Sequence, residues 1–179
     1  MVDTSHPHRY TSEELSALLL RTFTPRMPRD SRPRIASDVT DKGIPVMEFL
    51  LPHPEASQRS ITLSACERRG FVECCSLWFG EAEIADAMDP TDAIAAIEEI
   101  LADHLVAIVR YKNADAYDNH RKISTAPMEW LYQLPDDAGE LTAMLAKLKK
   151  PATLMEKLGG KHVGVFEVYR WSGSEVLER

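Results

Sequence analysis

The chain of 179 residues has little of what marks an exported or membrane-embedded protein. No stretch approaches the roughly 18 consecutive apolar residues that a membrane-spanning helix needs. The amino-terminal MVDTSHPHRYTSEEL is polar and lacks the apolar centre of a secretion signal. Cysteine is scarce: there are three, an odd number with two adjacent, which is not the even framework of a disulfide-stapled secreted domain. These absences predict a soluble, cytoplasmic protein without a membrane partner.

Positive charge is also in deficit. Twenty-one Lys and Arg stand against 28 Asp and Glu, a net charge of −7, and affinity for a phosphate backbone rests on clustered cations. One segment departs from this. Arginines 21, 26, 29, 32 and 34 share their stretch with a single acid, Asp30. As a nucleic-acid arm it lacks interleaved aromatics and a supporting basic face. As a linker it can lie across an acidic domain and pair with surface carboxylates, which is the reading favoured here.

The familiar catalytic and cofactor signatures are missing. LGGKHVGV fits neither GxxxxGK[ST] nor GxGxxG, because its glycines leave a helix and enter a strand. No GxSxG elbow, calcium-binding DxDxDG loop or CxxC or HxxxH metal spacing occurs. Neither a catalytic residue, a cofactor nor a metal site is therefore predicted. There is no internal repeat and no low-complexity tract.

What is present suits one packed domain: 44% of residues are apolar and 27% charged. Thr11 and Glu14 have capping-box spacing before Leu15, Leu18 and Leu19, which predicts a helix ending near Phe23. Residues 24–43, with three prolines and no apolar period, read as an extended linker. Strands are predicted at 45–51, 60–67 and 71–79, joined as a meander. Asp89 and Pro90 open a helix whose stripe is Ala93, Ile97, Ile100 and Leu101. LVAIVRY at 105–111 is a nearly continuous apolar run, as expected of a strand covered on both faces. Further strands at 126–134 and 161–171 enclose two helices, one carrying Leu141, Met144, Leu145 and Leu148 and one opened by Pro151.

The element order predicts an α+β fold: a mainly antiparallel sheet of about six strands with helices packed on one side, a two-layer sandwich. The expected division is residues 1–43 as amino-terminal helix and Pro/Arg-rich linker, 44–171 as the domain, and 172–179 as a polar tail.

The site candidates are charged or aromatic residues in unexpected places. Glu73, Arg110 and Glu167 interrupt apolar strands, and a carboxylate there is either solvated or paired, because an unpaired buried charge is costly. Glu167 shares its row with Val163, Val165, Tyr169 and Trp171, the more apolar side of its strand. Glu81 and Glu83 lie in GEAEIADAMDP, read as a solvated acidic connector or, more sharply, a surface for a basic partner. His120 sits in the polar stretch after 111, where binding residues gather. Trp78 completes the set, with Trp130 as a further pocket candidate. Cys74 and Cys75 point to opposite faces of a strand and read as small buried residues rather than one reactive site.

Three function classes follow. The leading expectation is a non-catalytic protein-interaction module of the bacterial inhibitor or immunity type, offering an acidic surface to a basic protein. The second is a small-molecule binder or enzyme with a pocket on the sheet face; the third is nucleic-acid binding through arginines 21–34. Open sheet edges also make a homodimer an expectation.

Overall fold

The computed structural model describes residues 9–56, 59–121, 129–159 and 163–179. Helix α1 (Ser12–Phe23) starts with the capping box anticipated from its sequence: the Thr11 hydroxyl accepts from the Glu14 N–H, and the Glu14 carboxylate accepts from the Thr11 N–H. Two single 3₁₀ turns follow, Thr24–Arg26 and Arg29–Ser31. Five strands then run as an antiparallel meander: β1 (Arg34–Val39), β2 (Pro45–Leu51), β3 (Ile61–Arg68), β4 (Phe71–Phe79) and β5 (Ala82–Met88).

Helix α2 (Pro90–Leu101) comes next, capped by the Asp89 carboxylate on the Thr91 N–H, with Pro90 at its first position. The rest builds a second antiparallel sheet. Its strands are β6 (Leu105–Tyr111), β7 (Glu129–Gln133), β8 (Val165–Tyr169) and β9 (Ser174–Glu178), in the spatial order β7-β6-β8-β9. Between them lie α3 (Ala114–Asp118), α4 (Ala138–Leu148) and α5 (Leu154–Gly159).

The fold is α+β and its strands pair antiparallel, as predicted. They form two sheets rather than one, however, and three of the strands among the described residues were not anticipated because their sequence signals are weak. β1 lies within the stretch read as linker, β5 within the acidic connector, and β9 within the polar tail. All three are edge strands. An edge strand is fixed by backbone pairing to one neighbour and needs little apolar side-chain area, so its alternation is faint. The predicted strand starts at 126 and 161 lie outside the described residues.

One core lies between the layers. The inner face of the first sheet contributes Met47, Phe49, Leu51, Ile61, Leu63, Ala65, Cys75, Leu77 and Phe79. Leu15, Leu19 and Phe23 of α1 and Ala93, Ile97 and Ile100 of α2 meet them, together with Ala107, Val109, Tyr111, Val165 and Tyr169 of the second sheet. A smaller core fills the other face of that sheet, where Val106, Ile108, Phe166 and Val168 pack on Leu141, Met144 and Leu148 of α4. The central strands β6 and β8 are thus covered on both sides, which explains the unbroken apolar run of β6.

The β2–β3 loop ties the layers at one end. His53 Nε2 donates to the Trp171 carbonyl at 2.8 Å, and Arg59 Nη1 donates to the same oxygen at 3.1 Å. The Nδ1 of His53 accepts from the Glu55 and Ala56 N–H groups, which fixes the ring as the neutral Nε2–H tautomer. At the other side of the second sheet, Gly164 (φ +131°) lies so close to β6 that a Cβ would fall 2.2 Å from the Tyr111 carbonyl oxygen. Glycine alone permits that backbone approach.

Candidate functional site

Among the described residues, the outer face of the first sheet belongs to neither core. Its register is continuous: Arg34, Leu50, Thr62, Trp78 and Glu83 form one row across all five strands, and Ala36, Glu48, Ser64 and Ser76 form the next. Val46, Leu50 and Trp78 belong to neither core. Exposed Asp38, Glu48, Glu83 and Asp86 surround them, with two cations on these strands of the face, Arg34 on β1 and Arg68, paired with Glu73, at the β3–β4 hairpin. The Ser76 hydroxyl donates to Asp86, which brings that carboxylate onto the same face. With the Arg68–Glu73 pair cancelling, four carboxylates against Arg34 give this surface the sign of the whole chain.

Glu83 and Trp78 are therefore neighbours, whereas Glu81 and Glu83 part company. Glu81, half-buried in the β4–β5 turn, acts on the other side of the sheet: its charge helps raise the pKa of both Tyr111 and Glu167. Glu48 is not among the residues singled out in the sequence, whereas Asp86 belongs to the acidic connector GEAEIADAMDP read there as a surface for a basic partner. Alternation in PVMEFLL carries a signal for Glu48; Asp86 depends on the irregular pairing of β5, which no local pattern announces.

Glu73 owes its position to a β-bulge. Cys66 opposes Cys74 and Glu67 opposes Val72, so Glu73 is an extra residue on β4. Strict alternation would place Glu73 in the buried row of Cys75, Leu77 and Phe79. The bulge shifts the phase, turns Val72 inward and leaves the Glu73 side chain 55% exposed, paired with Arg68 at 3.1 Å. The pair lines a hollow of about 420 Å³ at the β3–β4 hairpin, together with Arg9, Arg69, Phe71, Val72, Asp89 and Pro90.

Glu167 is the opposite case. It is 3% exposed, on the face of β8 that enters the larger core, and accepts a 2.7 Å hydrogen bond from the Tyr169 hydroxyl. Tyr169 and Tyr111 hydroxyls lie 3.5 Å apart; with the Tyr169 proton directed at Glu167, Tyr111 donates to Tyr169. Burial raises the Glu167 carboxyl pKa, opposed by the Tyr169 hydrogen bond and by the charges of His120 and Arg59. Burial also pushes Tyr111 up to about 12. Arg59 is itself buried, and its Nε has no hydrogen-bond partner among the described residues. A carboxyl with two tyrosine hydroxyls in series can hold and pass a proton, but it is enclosed by the core that the layers share.

His120, exposed just after α3 with φ +52°, is thus brought within electrostatic reach of Glu167. Arg110 is not. Val109 is the register partner of Glu167, so Arg110 projects from the opposite face of β6, where its Nε donates to the Val163 carbonyl. Glu73, Arg110 and Glu167 accordingly occupy three separate places. Trp130 packs its ring on Phe166 at the smaller core. In the arginine segment, Arg26 pairs with Glu98 and lies over the Phe23 ring.

The cysteines divide as the alternation requires: Cys75 is fully buried and Cys74 half-exposed on the outer face. Burial pushes the Cys75 thiol up to about 12, and burial with the nearby Cys66, Glu73 and Asp86 also raises Cys74. Among the described residues no three His, Cys, Asp or Glu are grouped to hold a metal ion, and no helix is long and apolar enough to cross a membrane.

One short helix is turned inside out. In α5, Leu154, Met155 and Leu158 are 73%, 76% and 75% exposed. Its polar Glu156 holds the helix down, accepting from Thr153 and from Arg179 and pairing with Lys147. Those bonds hold the Glu156 carboxyl down at about 2.

No family model, curated protein or solved structure matches the chain.

Proposed function

We propose that the protein is a non-catalytic interaction module that docks a basic protein on the outer face of its first sheet. The observation that carries this reading is the row Leu50, Thr62, Trp78 and Glu83 on a sheet face that belongs to neither core. A tryptophan beside aliphatic side chains, rimmed by charge, has the make-up of an interface centre. The rim of Asp38, Glu48, Glu83 and Asp86 sets the partner's sign and favours its approach electrostatically.

The test is differential capture by immobilised wild-type protein, a Trp78→Ala variant and a Glu48→Lys/Glu83→Lys variant. A basic protein retained by the wild type should be held about 30-fold more weakly by Trp78→Ala, the loss of a central aromatic of about 2 kcal/mol. The charge-reversed variant should lose it too, and wild-type retention should fall steeply with salt. Equal retention by all three proteins would overturn the assignment of this face.

A second reading rests on the hollow that contains Glu73. Three arginines, Arg9, Arg68 and Arg69, beside the exposed Phe71 ring suit a small carboxylate or phosphate with an apolar part. Titration with such anions should perturb the Phe71 and Arg69 resonances in wild type, and Arg69→Ala should abolish the effect. A saturating response that survives Arg69→Ala would place the anion elsewhere.

A further inference from the structure

Cys66 and Cys74 are register partners on adjacent antiparallel strands and lie on the same, outer face of the first sheet. Directly opposed residues on such strands have Cα atoms about 4.5–5.5 Å apart, within the roughly 4.4–6.8 Å that a disulfide bridges. Both residues are half-buried, and Cys66 is close enough for its charge to raise the pKa of Cys74. Cys75, next in the chain, has its sulfur in the core on the other side of β4. The extra residue Glu73 gives β4 a local bend beside the pair, where the strand can adjust as a bond closes.

We infer that Cys66 and Cys74 form a dithiol modification site, which reacts with low-molecular-weight disulfides of the oxidised-glutathione class to close a cross-strand bond. The exchange has two steps. The thiolate of one cysteine attacks a sulfur of the small disulfide, forming a mixed disulfide and releasing one small thiolate. The thiolate of the facing cysteine then attacks the protein-side sulfur, closes the Cys66–Cys74 bond and releases the second small thiolate. The two protein protons end on the two released thiols, so the small disulfide is reduced as the dithiol is oxidised. Excess small thiol reverses both steps. This inference rests on strand register and does not depend on the docking reading.

The experiment incubates the full chain with oxidised glutathione, quenches with acid, unfolds, alkylates the remaining thiols and maps peptides without reduction. Wild type should lose two hydrogen atoms, keep one alkylated thiol at Cys75, and yield a peptide pair joined through Cys66 and Cys74. Cys66→Ser and Cys74→Ser should each stop at a persistent glutathione adduct, whereas Cys75→Ser should close as wild type does. Added reduced glutathione should reopen the bond. Three outcomes would overturn the inference: wild type with all three thiols alkylated, a wild-type adduct that never resolves, or a bond that includes Cys75.

Discussion

The five-stranded sheet buries one face and leaves the other to solvent, whereas β6 and β8 at the centre of the four-stranded sheet are covered on both. The difference decides what a charge in a strand means. Glu48 and Glu83 on the first sheet are exposed and cost the fold little. Glu73, which alternation would bury, is released by a bulge and meets Arg68. Glu167 has no such exit on β8, so the fold supplies Tyr169 and, behind it, Tyr111. The same residue type thus marks a surface on one sheet and a buried polar network on the other.

The largest expected effect separates the two environments by cavity formation. Phe166 is fully buried on β8 between Trp130 and the α4 side of the second sheet. Phe166→Ala should cost about 3–5 kcal/mol. Leu50→Ala on the open face should cost about 0.5 kcal/mol or less. Urea unfolding midpoints, at unchanged slope, give both numbers. Similar losses would mean that the outer face of the first sheet is covered by something in solution.

A smaller effect compares the two carboxylates through their partners. Tyr169→Phe removes the hydroxyl bonded to buried Glu167 and should cost about 1–3 kcal/mol. Arg68→Ala removes the partner of exposed Glu73, a solvated ion pair, and should cost no more than about 1 kcal/mol. If Arg68→Ala proves the more damaging, the hairpin bulge rests on that pair and the contrast between the sheets fails.

The difference between the sheets also explains what the sequence discloses. The inward rows of β2 and β3 and the unbroken run of β6 are dictated by burial, and burial selects apolar side chains, so these strands are legible. So are the caps at Thr11 and Asp89, where a side chain satisfies a local N–H. The strands β1, β5 and β9 are held by backbone pairing at sheet edges, and RIASDV, AEIADAM and SEVLE carry little trace of it. At the candidate site, Trp78 and Glu83 were visible as residues but not as neighbours, because their register passes through an irregular β5. Glu167 could be assigned to the apolar row of its strand. Its partner Tyr169 stands two positions along that row, but Tyr111, Arg59 and His120 reach it only through tertiary folding. The facing of Cys66 and Cys74 depends on the bulge at Glu73, which alternation cannot reveal.

The smallest effect is a pH dependence with opposite signs at Glu167 and His53. Burial raises the folded pKa of Glu167 above the ordinary glutamate value of about 4.3. Its contribution to stability is therefore fully present below that value and is lost as pH rises through the raised folded pKa. His53 is the reverse: burial lowers its folded pKa below 6.5, so its contribution is present above 6.5 and lost as pH falls through the depressed value. Glu167→Gln keeps an acceptor for the Tyr169 hydroxyl without the titration, and should gain on wild type only as pH rises from the acid side toward neutrality. His53→Gln keeps an uncharged donor for the Trp171 carbonyl, and should lose less than wild type as pH falls below 6.5. Urea midpoints across that range read both slopes. If the Glu167→Gln curve runs parallel to wild type, the carboxyl is not held in the low-dielectric core that β8 and the tyrosines build around it.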